Sequence, residues 1–244
     1  MSLLRCEGVT KYFGGLRALD GVDLVVDPGE IVGLVGPNGS GKTTLMNAIS
    51  GTFGINAGRV EFDGTDVTGM RPHQRAHLGI ARTFQIPKPL PSLSVIDNVA
   101  LAYTFGRDQV PMGRARQLAG DLLAELELAG KALAPVAHLN LHERKLLGIA
   151  RALGLEPRLL LLDEVLAGLN PTEVDLGLAM ITAVRDRGVA VIYIEHNVKA
   201  VTSISDRLYV LNRGTNLVDG NPRDVVADER VVAAYLGDAH ADPA

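Results

Sequence analysis

The sequence has one cysteine, Cys6, no tryptophan, and only 4% aromatic residues. A single thiol excludes an internal disulfide framework and any metal site built on several cysteines. Its ordinary reading is a buried core thiol in a reducing compartment. So few aromatics leave the core to aliphatic side chains, and a hydrophobic fraction of 47% is ample for one. No apolar run approaches the roughly 20 residues that a membrane helix needs. The densest, residues 159–162, ends in Asp163 and Glu164. The opening segment, MSLLRCEGVTKYF, lacks the apolar centre of a signal peptide. Any work at a membrane therefore requires a partner that holds the chain there. A net charge of -4 argues against a general nucleic-acid binder. The length, 244 residues, suits one α/β domain with a smaller lobe, or two small domains.

Short β-like runs at 4–9 and 22–26 precede turn signals and predict an antiparallel layer. IVGLV, 31–35, is a continuous apolar run of the kind that forms a buried strand. A helical stretch at 43–49, a turn at 51–58 and the strand-like RVEFDG follow. Between 87 and 138 the character changes. Pro87, Pro89, Pro91, Pro111 and Pro135 punctuate it, and residues 95–105 and 114–128 carry helical spacing. RLLLLDE and VAVIYIEH then read as buried parallel strands, with a helix at 171–187 between them. RLYVLNRG and TNLVDGNP suggest a terminal hairpin. The expectation is one domain over 1–237. An α/β core covers 1–86 and 155–237, a helical lobe is inserted over 87–154, and 238–244 form a loose tail.

GPNGSGKT, 36–43, fits the phosphate-loop pattern G-x-x-x-x-G-K-[ST] between an apolar strand and a helical stretch. Phosphate oxygens need several backbone N–H groups in a concave nest at a helix N-terminus. Gly36, Gly39 and Gly41 have no Cβ to obstruct that approach, and Pro37, Asn38, Ser40 and Thr44 complete the segment. Lys42 can neutralise the β- and γ-phosphates, and Thr43 can place its hydroxyl on Mg²⁺.

The run at 159–162 delivers Asp163 and Glu164 to the carboxyl end of a strand, where open α/β sheets bind ligands. Asp163 suits the Mg²⁺ shell, directly or through water. Glu164 suits orientation or deprotonation of an attacking water. Helix capping is the plain alternative for an isolated acidic pair. Glu195 and His196 end another apolar run in the same way, placing His196 to contact a γ-phosphate. Gln85, at the junction to the helical lobe, can ligate Mg²⁺ or water through its amide.

In this order the residues resemble an ABC-transporter nucleotide-binding subunit, over about 3–237. The chain is similar to the family in GEIVGLVGPNGSGKTTLMNAISG, GIARTFQ, LLLLDEVLAGLNPTE, IEHNVKAV, SDRLYVLNRG and the terminal VVAAYLG. These segments look most like the LivG-like group, importer ATPases for branched-chain amino acids and similar solutes. The lipopolysaccharide-export ATPase is a near relative. The resemblance implies a P-loop NTPase core with an N-terminal antiparallel β layer and an inserted helical lobe, hydrolysing ATP with Mg²⁺. Phe13, 29 residues before Lys42, matches the aromatic that stacks on adenine. Two subunits are expected to clamp two ATP molecules between opposed phosphate loops and signature segments, on the cytoplasmic face of the cell membrane. The partners implied are permease subunits, a second ATPase subunit and, indirectly, a solute-binding protein. A permease loop is expected to dock over 85–103.

The family signature, LSGGQ or LSYGE, is here Leu139-Asn140-Leu141-His142-Glu143, 24 residues before Asp163, in the family register. Asn140 can still donate one hydrogen bond, whereas His142 fills a glycine position and puts the grip on the partner's γ-phosphate in doubt. Val165 replaces a usual proline, and Asn170 a usual aspartate. The expectation is a second ATPase subunit of a different kind with an intact signature, or self-pairing. A soluble ABC ATPase of translation or repair is the other reading, together with a weakly hydrolysing regulatory subunit. Asn197-Val198-Lys199-Ala200 does not fit the guanine-binding N-K-x-D of a GTPase.

Overall fold

Alternating burial in the first 26 residues folds a hairpin. β1 (Leu4–Phe13) and β2 (Leu16–Val26) pair antiparallel about Gly14-Gly15, with Leu4, Cys6, Leu24 and Val26 on the inner face. β4 (Ala57–Phe62) adds to the other side of β1, and a short β5 (Thr65–Asp66) gives the order β2-β1-β4-β5. The computed structural model describes residues 1–83 and 89–238, with side chains as far as Tyr235.

The larger sheet runs β10-β9-β3-β8-β7-β6. Its members are β3 (Ile31–Val35), β6 (Ile80–Arg82), β7 (Leu159–Asp163), β8 (Ala190–Ile194), β9 (Arg207–Asn212) and β10 (Thr215–Gly220). All pairings are parallel except β9–β10. Every residue of β3, β7 and β8 is buried. This is why these strands read as unbroken apolar runs, since both faces are covered.

α1 (Lys42–Ser50) lies between the two sheets. Leu45 and Ile49 share one buried cluster with Leu24 and Phe62 of the small sheet and Leu34 and Leu161 of the large one. α2 (Pro72–Leu78) leads into β6. The opposite face of the large sheet is covered by α5 (Leu141–Leu153) and α6 (Pro171–Asp186), through Ile149, Ile181 and Val184 on Leu160, Leu162 and Tyr193. α7 (Val198–Ile204), α8 (Pro222–Ala227) and α9 (Glu229–Asp238) complete that layer. A third cluster joins α3 (Val95–Phe105), α4 (Met112–Glu125) and α5, built from Val95, Val99, Ala119, Leu123, Leu147 and Ala150. This is the inserted helical lobe.

β3 and α3 have the bounds that the sequence suggests. β1 runs on to Phe13, past the expected end at 9, because Tyr12 pairs with Arg17 and Phe13 with Leu16. α4 stops at Glu125, short of 128, because Glu127 adopts the left-handed φ of 58°. α6 ends at Asp186 rather than 187. Gln85 and the tail beyond Asp238 lie outside the described residues.

Candidate active site

The carboxyl ends of β3, β7 and β8 meet at one edge of the large sheet. After β3 the chain turns through 36–41 into α1, whose first N–H groups have no intrahelical acceptors. The glycines of this loop serve different ends. A Cβ on Gly36 would lie 2.1 Å from the Leu211 carbonyl oxygen, and one on Gly41 2.7 Å from that of Ala18. Gly39, at φ 74°, faces open space. Gly36 and Gly41 therefore have no room for a Cβ against the protein's own backbone, whereas at Gly39 that space is open.

Lys42 is buried, and its Nζ donates to the carbonyls of Gly36 at 2.7 Å and Pro37 at 2.9 Å. Burial pushes its pKa down, and Glu164 and Asp163 draw it back up. The ammonium thus sits within the field of the acidic pair. Ser40 Oγ is buried with no partner among the described residues.

Asn38, Gly39, Ser40, Gly41, Lys42, Thr43 and Thr44 line a cleft of about 510 Å³. Its other walls are Phe13, 16–18, Glu164, His196 and Arg213. Phe13 is 47% exposed, edge-on to Phe53 at 5.3 Å, so it is not a core side chain. Glu164 and His196, from the ends of neighbouring strands, are 2.8 Å apart at Oε1 and Nε2. The Glu164 side chain is 12% exposed, and its backbone takes the left-handed φ of 51°. That conformation is uncommon for a residue with a Cβ and collects at functional sites.

Asp163 stands behind this wall. Its Oδ2 accepts from Arg82 at 2.9 Å, and both side chains are buried. Arg82 also donates to Asn47 Oδ1 at 2.6 Å. One carboxylate oxygen is thereby committed, which disfavours direct ligation by that atom. Among the described residues no group of three or more His, Cys, Asp or Glu could hold a metal. One hydroxyl, Thr43, with one recessed carboxylate fits Mg²⁺, which keeps waters and takes phosphate oxygens as ligands.

Asn140, Leu141, His142 and Glu143 are not brought to this cleft. They open α5, where Asn140 Oδ1 accepts from the Glu143 N–H and the Glu143 carboxylate accepts from the Asn140 N–H, both at 2.8 Å. His142 turns aside into a separate crevice lined by Glu125, Glu127, Leu146, Leu176 and Met180. Leu141 is 54% exposed. Arg17, Arg82 and Arg213 were not singled out in the sequence. Arg82 and Arg213 lie within GIARTFQ and SDRLYVLNRG, but those strings give no role to either, and the Asp163 partner of Arg82 is 81 residues away in the chain.

A family model described as ABC transporter matches residues 19–167, more than half of the chain. The chain belongs to the ABC transporter family. It is an ATP-hydrolysing subunit of that family. Residues 216–241 match a second model, branched-chain amino acid ATP-binding cassette transporter. Among curated relatives, the high-affinity branched-chain amino acid transport ATP-binding protein BraF of Pseudomonas aeruginosa is 36% identical, over 97% of this chain and 98% of its own. The lipopolysaccharide export system ATP-binding protein LptB of Haemophilus influenzae is 34% identical over 98% of each. A nucleotide-free ATP-binding cassette from an ABC transporter superposes with a TM-score of 0.86 at 31% identity, covering 96% of this chain and 99% of that one. No helix of the described residues is long and apolar enough to cross a membrane.

Proposed function

We propose that this ABC transporter subunit energises the uptake of branched-chain amino acids or similar solutes from the cytoplasmic face of the membrane. The match of residues 216–241 to the branched-chain amino acid model supports the solute class, together with the 36% identity to the branched-chain amino acid transport subunit BraF over nearly the whole of both chains. Uptake of labelled leucine tests it. Cells lacking the chain take up little and recover with the wild-type chain but not with Glu164→Gln. Unimpaired uptake without the chain sinks the solute assignment.

Residues 36–43 receive the triphosphate, with Lys42 released from its two carbonyls to the β- and γ-phosphates. Phe13 stacks on the adenine. Thr43 and Gln85 would offer protein oxygens to Mg²⁺ and Asp163 would act through water, the arrangement its bond to Arg82 favours. Such an ion would supply neutralisation of the charge on the phosphates. Glu164 orients and deprotonates the attacking water. His196, 2.8 Å from Glu164, holds the carboxylate's direction and contacts the γ-phosphate.

The permease docks on the lobe. Leu90, Leu101, Ala102, Phe105, Ala152 and Leu155 line a largely apolar groove of about 550 Å³, with Phe105 69% exposed at its rim. An exposed apolar groove at the junction of lobe and core suits a short helix of a membrane subunit. Phe105→Glu is expected to abolish uptake and leave ATP binding intact; uptake at the wild-type rate removes this docking site.

The second ATPase subunit is a different one with an intact signature. Support comes from α5, whose N-terminal polar groups are already occupied by Asn140 and Glu143. A purified homodimer with full, cooperative ATPase activity contradicts this pairing.

A further inference from the structure

Among the charged side chains buried outside the cleft are Lys145, on α5, and Glu195, just past β8, 7% and 6% exposed. No role above uses either. Charges are kept in such positions only when hydrogen-bonded and paired, and both bond to one short turn. Glu195 Oε1 accepts from the Leu166 N–H at 2.8 Å, and Lys145 Nζ donates to the Ala167 carbonyl. Burial pushes the Glu195 carboxyl up and the Lys145 ammonium down, and each is drawn back by the other's charge.

Leu166 and Ala167 follow Glu164 by two and three residues. The turn is gripped further by residues beside Glu195. The Ile194 carbonyl accepts from the Glu164 N–H at 2.9 Å, and His196 meets the Glu164 carboxylate. The Leu166 side chain fills the notch over Gly177 of α6, where a Cβ would stand 2.4 Å from its Cδ2. Three successive residues, 194–196, thus hold Glu164 and its turn from one side, and the signature helix holds it from the other.

We propose that Glu195 and Lys145 form a positioning clamp that fixes the turn 164–167, and with it the left-handed backbone that aims Glu164 at the cleft. Through Lys145 the clamp ties the hydrolytic site to α5. The signature segment opens that helix, so a displacement of α5 on engagement of a partner reaches Glu164 by way of the Ala167 carbonyl. The inference rests on the catalytic reading of Glu164 given above.

The test is steady-state ATP hydrolysis by the transporter assembled with its partner subunits, with kcat and KM separated. Glu195→Ala is expected to lower kcat about tenfold to hundredfold, the cost of a misaligned catalytic group. KM should stay within about twofold, because residues 36–43 and Phe13 make none of these contacts. Glu195→Gln, whose amide oxygen still accepts from the Leu166 N–H, should recover most of the loss. Lys145→Met should lower kcat about tenfold, and the double variant should be no slower than the worse single one. A purely structural role would reduce the folded fraction and leave turnover per bound nucleotide unchanged. Unchanged turnover per bound nucleotide, a KM that rises in step with the fall in kcat, or effects that multiply in the double variant would each overturn the clamp. If Glu195→Ala does not fold, Lys145→Met decides in the same terms. Wild-type turnover by Glu164→Gln would instead overturn the role of Glu164 itself.

Discussion

Gly36 and Gly39 are three residues apart in one motif and answer to different constraints. The first has no room for a Cβ beside the Leu211 carbonyl, and the second has room but a φ of 74°. Gly36→Ala should therefore destabilise the fold, read as a fall of several degrees in the thermal midpoint. Gly39→Ala should cost only about 1–2 kcal/mol of backbone strain and fold, yet lose ATP affinity because its Cβ would take space that a bound phosphate needs. Equal stabilities for the two would contradict this division. The motif string made both residues legible as phosphate-loop glycines, but not the reason for each, which for Gly36 is the Leu211 carbonyl 175 positions away and for Gly39 its own left-handed φ. The acidic pair shows the same limit. Asp163 and Glu164 were evident as a pair, whereas the Arg82 that commits Asp163 is 81 residues distant in the chain. A recessed Asp163 and a cleft-facing Glu164 divide the two roles in a way adjacency alone leaves open.

Elements were legible where both faces are covered or the period is regular. β3 and α3 fall where IVGLV and the spacing over 95–105 place them. β6, only three residues long, is too short for a period to register, and its existence depends on pairing with β7. α5 is instructive at its start. The altered signature puts the grip on a partner's γ-phosphate in doubt in the sequence, and in the structure Asn140 and Glu143 form a complete capping box. Asn140→Ala should cost about 1 kcal/mol of stability and Asn140→Ser much less. Chemical denaturation of the purified chain measures both. A neutral Asn140→Ala would mean that the box contributes nothing to folding, leaving its residues free for a partner's phosphate.

For the whole molecule, the architecture followed from the order of signals: an antiparallel layer, a strand into a phosphate loop, a Pro-punctuated helical insert, then strands ending in carboxylates and a histidine. Assembly was less legible. The cleft is lined by 38–44 with Glu164 and His196, and residues 139–143, which open α5, do not line it. If the hydrolytic site is the one built on Lys42 and Glu164, turnover depends on this chain even within a mixed pair of ATPase subunits. The decisive measurement is phosphate release by the assembled transporter carrying Glu164→Gln in this chain alone, with ATP binding followed in parallel. Retained binding with hydrolysis reduced by about a hundredfold or more, the scale of a lost general base, is the predicted result. Hydrolysis at the wild-type rate would contradict the account, because the chemistry would then lie outside the site described here.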